Sequence, residues 1–244
     1  MKVLLTNDDG IDAKGIRILA EWAKQMFDEV WVVAPKVEQS GASHGIILRH
    51  SFEVKRRHVF DDLGIPSYHV DSTPADCVRY AFDKFGKFDL VLSGINHGFN
   101  IGYDISYSAT CAGATEGCIL GSKSVAISSD LGALDVAGEQ LTHVWSFITN
   151  ANILAYASLL NVNVPHDPQG VVLTEQGGVF YADHFEEVEP NQFHARGYIA
   201  HDPKEEHKDK FDTDAVLHHL ISISPLSVHR TDLEALKALR GLTR

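Results

Sequence analysis

Long apolar runs, a cysteine framework and an excess of basic residues are all missing from this sequence. No stretch approaches the roughly 18 consecutive apolar residues of a membrane-spanning helix, so no membrane partner is expected. The apolar start, Met1–Thr6, is far too short for a signal peptide and is soon followed by two acids. Three cysteines, Cys77, Cys111 and Cys118, cannot staple a chain of 244 residues, which points to a reducing, cytoplasmic compartment. Lys and Arg number 21 against 33 Asp and Glu, a net charge of −12. Gripping a nucleic-acid backbone needs clustered base, so no nucleic-acid polymer is expected as partner. A small anion is compatible with this charge, because a bound cation reverses the field locally.

What is present is an alternation of short β-rich runs with longer helical patterns. Lys2–Thr6, Val30–Ala34, Asp89–Ser93 and Lys123–Ser128 are near-continuous β-type runs, as strands buried on both faces should be. Between them Ile16, Leu19, Ala20, Ala23 and Phe27 recur at helical spacing, with Asp12 as the expected cap. Pro74 opens a helix to Phe85, a third helix runs from about Ser108 to Gly121, and Leu141–Ala155 marks a fourth. Crossovers of this length require a mostly parallel sheet covered on both faces, an α/β class. Gly45–Arg49 and Tyr68–Val70 alternate like strands. Gly170–Glu175 and Gly178–Val188 are expected to pair with each other, before a polar, His-rich stretch and a last helix over Thr231–Leu242. The expectation is one domain over 1–244, with a core of about 1–175 and an extension from about 176 that can reach a partner subunit.

In an open parallel sheet, ligands bind beyond the carboxyl ends of the strands. Three unusual loops lie at that edge: Asn7-Asp8-Asp9-Gly10, Ser40-Gly41-Ala42-Ser43 and Ser93-Gly94-Ile95-Asn96. Adjacent carboxylates repel unless a cation sits beside them. A hydroxyl and a carboxamide make the donor set all oxygen, which suits Mg²⁺, Mn²⁺ or Ca²⁺ better than zinc. Taken alone, Asp-Asp-Gly also reads as a capped turn; the two further loops favour the metal. Tyr107-Ser108-Ala109-Thr110 precedes a helix and offers hydroxyls and free amides as a phosphate cradle. Dinucleotide, P-loop and HExxH zinc motifs are absent. Cysteine-phosphatase chemistry would want Arg six places after the Cys, where this chain has Asp83, Gly117 and Ser124. Of fourteen scattered histidines, only His44 and His97 flank the site.

At these residues the sequence resembles the SurE survival-protein family of nucleotidases. The matching stretches are Leu4–Ile16, Val32–Ser43, Ser72–Val78, Asp89–Thr110 and Asp212–Leu226, with 130–210 matching weakly. The resemblance implies a Rossmann-like three-layer α/β/α sandwich with a C-terminal hairpin and helix extension exchanged in a homodimer or homotetramer. It implies one divalent metal per subunit, Mg or Mn, at Asp8, Asp9, Ser40 and Asn96. It further implies hydrolysis of nucleoside 5′- or 3′-monophosphates, with some activity on other phosphomonoesters or short polyphosphate. Asp8, Asp9 and Asn96 are then the expected catalytic residues, and Gly41, Ser43, Asn100, Ser108 and Thr110 the expected phosphate and substrate contacts. Ala109 stands where the family often has Gly, and Cys111 where it has Val.

The chemistry expected is attack by an activated water on the phosphomonoester, with the hydroxyls and amides stabilising charge on the equatorial oxygens; a covalent aspartyl-phosphate is the chemical alternative. A signalling receiver also pairs acids after its first strand. It is about half this length, however, and wants a Lys after its last strand, where Ser128-Ser129-Asp130 follows here. A non-catalytic nucleotide-binding module is the remaining rival.

Overall fold

The computed structural model describes residues 1–242. Its elements run β1 Lys2–Thr6, α1 Lys14–Met26, β2 Glu29–Pro35, β3 Val54–Arg57, β4 Ser67–Val70, α2 Pro74–Phe85, β5 Leu90–His97, α3 Ala109–Ile119 and β6 Lys123–Ser129. They continue with α4 Leu134–Asn150, α5 Ile153–Tyr156, β7 Leu159–Val164, β8 Gly170–Leu173, β9 Tyr181–Glu189, β10 Gln192–Ile199, α6 Asp212–Leu217, β11 Leu220–Pro225 and α7 Leu233–Leu242.

Nine strands form one sheet in the order β3-β4-β2-β1-β5-β6-β7-β11-β8. The strands from β4 to β7 are mutually parallel, and β3 and β11 each join antiparallel. Alternate residues of β1 show the three layers directly. Val3 and Leu5 point into the core shared with Ile16 and Leu19 of α1 and Leu141 and Val144 of α4. Leu4 points the other way, into the core with Cys77, Val78 and Ala81 of α2. Strands apolar on both sides can be stable only when both faces are covered.

The strand ends expected beyond β1, β2 and β5 all fall on the carboxyl edge of this sheet, and β5 extends to His97 rather than stopping at Ser93. Several expectations were corrected. Gly170–Leu173 does not pair with the following strand; β8 runs parallel to β11, while β9 pairs with β10 as a separate two-stranded arm. Gly45–Arg49 forms no strand. Asp12 does not cap α1, whose cap residue is Ala13 with no side-chain bond; the Asp12 carboxylate instead takes Arg57 at 2.8 and 3.0 Å. The long fourth helix ends at Asn150, broken by Asn152 at φ 50°, before α5.

Close packing of α3 on the sheet positions the site. A Cβ on Gly113 would lie 2.9 Å from Ser93 Oγ, and one on Gly117 would lie 2.6 Å from Val91 Cγ2. Only hydrogen side chains let the helix sit this near to β5.

Candidate active site

Two backbone links bring the first two loops together. Gln39 N–H donates to the Asp8 carbonyl at 2.7 Å, and Ile11 N–H to the Pro35 carbonyl at 2.9 Å. The third stretch, expected as a loop, is part of β5, whose pairing with β6 shifts register between Ser93 and Asn96 and resumes at Asn96. Gly94, at φ +142°, is required there because a Cβ would sit 2.2 Å from the Ile127 carbonyl oxygen.

Asp8 is buried and faces the first turn of α3, where Thr110 gives it both its hydroxyl and its backbone N–H. Burial nonetheless dominates and, with a push from Asp9, carries the Asp8 carboxyl up to about 6. Asp9 is half-buried and is also pushed up, by burial first and then by Glu38; the His97 backbone N–H draws it partly back. Two acids whose charge is disfavoured by their surroundings are what a cation would relieve. Among the described residues, no three His, Cys, Asp or Glu side chains gather as a metal group. The donor set expected from the sequence is mixed: two carboxylates, a hydroxyl and a carboxamide, all oxygen. Asn96 Nδ2 donates to the Gly98 carbonyl at 2.9 Å, which turns its other amide atom, the acceptor oxygen, into the one available for a cation. Buried Asn7 Oδ1 has no partner either. These residues fit a hard divalent ion.

Ser40 is exposed, and its hydroxyl donates to Glu38 Oε1 at 2.7 Å. Glu38 is thus a third acid at the site, and sequence reasoning passed over it; its signal was its place two residues before Ser40. Gly41, at φ +72°, has open space around it. Ser43 turns toward α3, with its hydroxyl on the Ser106 carbonyl at 2.5 Å and its N–H on the Tyr107 carbonyl at 3.1 Å. Ser108 caps α3 by accepting from Cys111 N–H at 3.0 Å, so its own hydroxyl proton remains to be donated. Asn100 is buried, with Nδ2 on Ser128 Oγ at 2.8 Å and its carbonyl held by Asn161 and Asn163.

The flanking histidines are anchored. Gly132 N–H donates to His97 Nε2 at 2.8 Å, fixing that nitrogen as an acceptor. His44 Nε2 lies 2.8 Å from buried Glu116. Burial pushes the Cys111 thiol up to about 12 and Cys77 upward too, which disfavours either as a nucleophile. A hollow of about 650 Å³ runs along α3 from Ser106 and Ser108 to Ile119 but does not include the acids. The ligand reading therefore rests on the donor set and not on cavity size.

The family model described as Survival protein SurE matches residues 3–183. The chain belongs to the SurE family. Over 99% of its length it is 37% identical to a protein of Thermus thermophilus named 5′-nucleotidase SurE 1, which it covers to 98%. It is 39% identical to the 5′-nucleotidase SurE of Deinococcus radiodurans, covering all of this chain and 92% of that one. The crystal structure of the SurE protein from Aquifex aeolicus superposes with a TM-score of 0.79 at 31% identity over the whole of both chains. The Aquifex protein thus shares this fold over the whole of the chain, the C-terminal part included.

Proposed function

We propose that this chain is a metal-dependent phosphomonoesterase that releases phosphate from nucleoside 5′- and 3′-monophosphates. The carrying observation is the acid pair at the sheet's carboxyl edge, with buried Asp8 held by the first turn of α3 beside half-buried Asp9. The names of its full-length relatives support the substrate class.

Asp8, Asp9, Ser40 and Asn96 would hold one divalent ion, Mg or Mn. When bound, such an ion neutralises phosphate charge and makes water a stronger acid. Asp8 needs its orientation fixed, and Thr110 fixes it with two hydrogen bonds, so Thr110 positions the acid in addition to lining the phosphate site. A carboxylate oxygen of the pair left free of the ion accepts the proton of the attacking water. The hydroxyl of Ser108, with the Ser43 and Gly41 loop opposite, donates to phosphate oxygens as charge builds on them. Asn100 acts through its backbone by holding the loop between β5 and α3.

The arm β9–β10 stands free of the sheet and exposes Phe185, Val188, Phe193, Tyr198 and Ile199. A two-stranded ribbon is marginal by itself, which supports burial of this arm in a homodimer or homotetramer, within a single domain spanning 1–244. Three unpaired thiols support a cytoplasmic setting; among the described residues no helix is long and apolar enough to cross a membrane.

Incubation with AMP or UMP and Mn²⁺ or Mg²⁺ should release inorganic phosphate, and EDTA should stop it. A protein that binds the nucleotide without releasing phosphate is a binding module and not this enzyme.

A further inference from the structure

The loop that leads through Ser108 to Thr110, the residue bonded to Asp8, is fastened from behind by a carboxylate far along the chain. Asp212, at the start of α6, is fully buried. Its Oδ2 accepts Gly102 N–H at 3.1 Å and its Oδ1 accepts Gly177 N–H at 2.7 Å. Thr213 N–H reaches the same carboxyl. Around it the backbones interlock: Tyr103 N–H donates to the Gly178 carbonyl at 3.0 Å, and Gln176 Nε2 to the Gly102 carbonyl at 2.8 Å. The fit leaves no slack, since a Cβ on Gly102 would lie 2.1 Å from the Gly178 oxygen and one on Gly177 2.3 Å from Thr213 Oγ1.

From this anchor the loop is stiff up to the site. Asp104 N–H bonds Ile101, Tyr107 N–H bonds Asp104 and Ser108 N–H bonds Ile105, while Ser43 clasps Ser106 and Tyr107 from the other side. Among the described residues Asp212 forms no salt bridge; burial opposes its ionisation, neighbouring Asp214 adds to that, and the three backbone N–H groups favour the ionised form. A buried carboxylate without a counter-ion is costly, and an apolar or amide side chain could fill the same volume more cheaply. What the carboxylate alone supplies is two acceptor oxygens for two converging N–H groups; an Asn would turn an NH₂ toward one of them.

We propose that Asp212 is a positioning residue for the phosphate loop, fixing Gly102 so that the Gly102–Ser108 segment presents Ser108 and Thr110 to Asp8 in register. This rests on the phosphomonoesterase reading for its kinetic consequence, though not for its structural one. Asp214 is the matched control. It sits on the same helix, buried, but ties His201 at 3.0 Å, Lys204 N–H at 2.8 Å and the Thr213 hydroxyl at 3.1 Å, and makes no bond of its own to Gly102.

The test compares full-length wild type with Asp212→Asn, Asp214→Asn and Gln176→Ala at a temperature where each is folded by circular dichroism. Hydrogen exchange at residues 102–111 is followed together with kcat and KM for AMP and for p-nitrophenyl phosphate with Mn²⁺. D212N should speed exchange across 102–111 and lower kcat about ten- to a hundredfold for both substrates, the scale of a misplaced catalytic group. Q176A should do the same more weakly. D214N should lose at least as much thermal stability while its kcat stays within about twofold of wild type, because the site geometry is untouched. If D212N leaves the loop's exchange and kcat unchanged, or if both acid variants lose kcat in step with stability, the positioning role is wrong. Should D212N fail to fold, Q176A decides, and no change in its loop exchange overturns the proposal. A wild type that releases no phosphate would sink the enzymatic reading but leave the exchange result to judge the anchor.

Discussion

The acid pair has opposite effects on stability and on function. Asp8 ionises with difficulty because it is buried, and its raised carboxyl fixes the sign of its pH effect. A group whose folded value lies above its ordinary 3.8 favours the protonated fold. Its contribution is therefore present below about pH 4 and is lost as pH rises through about 6, on the order of 3 kcal/mol in all. Thermal melts without metal should show wild type losing stability relative to Asp8→Asn between pH 4 and 7. Added Mn²⁺ should reverse that difference above pH 6, where the ion meets an ionised pair. A pH-independent gap between the two proteins would remove the strain assigned to Asp8. Thr110 belongs to the same scale. Thr110→Val keeps the volume and the backbone N–H but deletes the hydroxyl that reaches Asp8. Its kcat should fall about tenfold or more with little change in melting temperature, measured as phosphate release from AMP; an unchanged kcat would make the bond to Asp8 incidental.

Elements meet here through glycines, so element-scale predictions concern backbone approach. Gly15 opens α1 against β5, and a Cβ there would lie 1.9 Å from the Ile95 carbonyl oxygen. Because that obstacle is backbone, Gly15→Ala should cost about 1–3 kcal/mol or more and move the end of β5 that carries Asn96. Denaturant melts check the first effect and Mn²⁺ titration calorimetry the second. Elements were legible in the sequence where burial on both faces leaves an uninterrupted apolar run, as in β1, β2 and β6. They were not legible where polar residues are buried and paired by distant partners. β7 carries Asn161 and Asn163, both fully buried, because each carboxamide grips Asn100 some sixty residues earlier. β8 was matched with its neighbour in sequence because local pairing is the usual outcome; its true partner, β11, begins some fifty residues further on. Two stretches of the candidate site were expected because they follow readable strands, β1 and β2, while the third, Ser93–Asn96, lies inside β5. Glu38 and Asp212 were not, since an exposed acid in a loop and a buried acid in a polar tail look alike until the chain is folded.

For the whole molecule, the exposed apolar residues of β9–β10 and of α7, among them Leu233 and Leu242, predict self-association. Light scattering should find a dimer or tetramer, and replacing Phe185 and Phe193 with Ser should reduce the oligomer while β1–β7 stay folded. A wild-type monomer at micromolar concentration would contradict this account of the arm. The net charge of −12 adds a further constraint. An anionic substrate must approach an acidic protein, and the three acids Asp8, Asp9 and Glu38 make its destination more negative still. A bound cation would make that destination attractive. The most direct measurement is therefore phosphate release from AMP by wild type and Asp9→Ala, each with Mn²⁺ and after EDTA. Release by wild type that vanishes with EDTA, and is abolished in a folded D9A protein, is the predicted result. Undiminished release by D9A, or release that EDTA does not touch, would contradict the metal-dependent site.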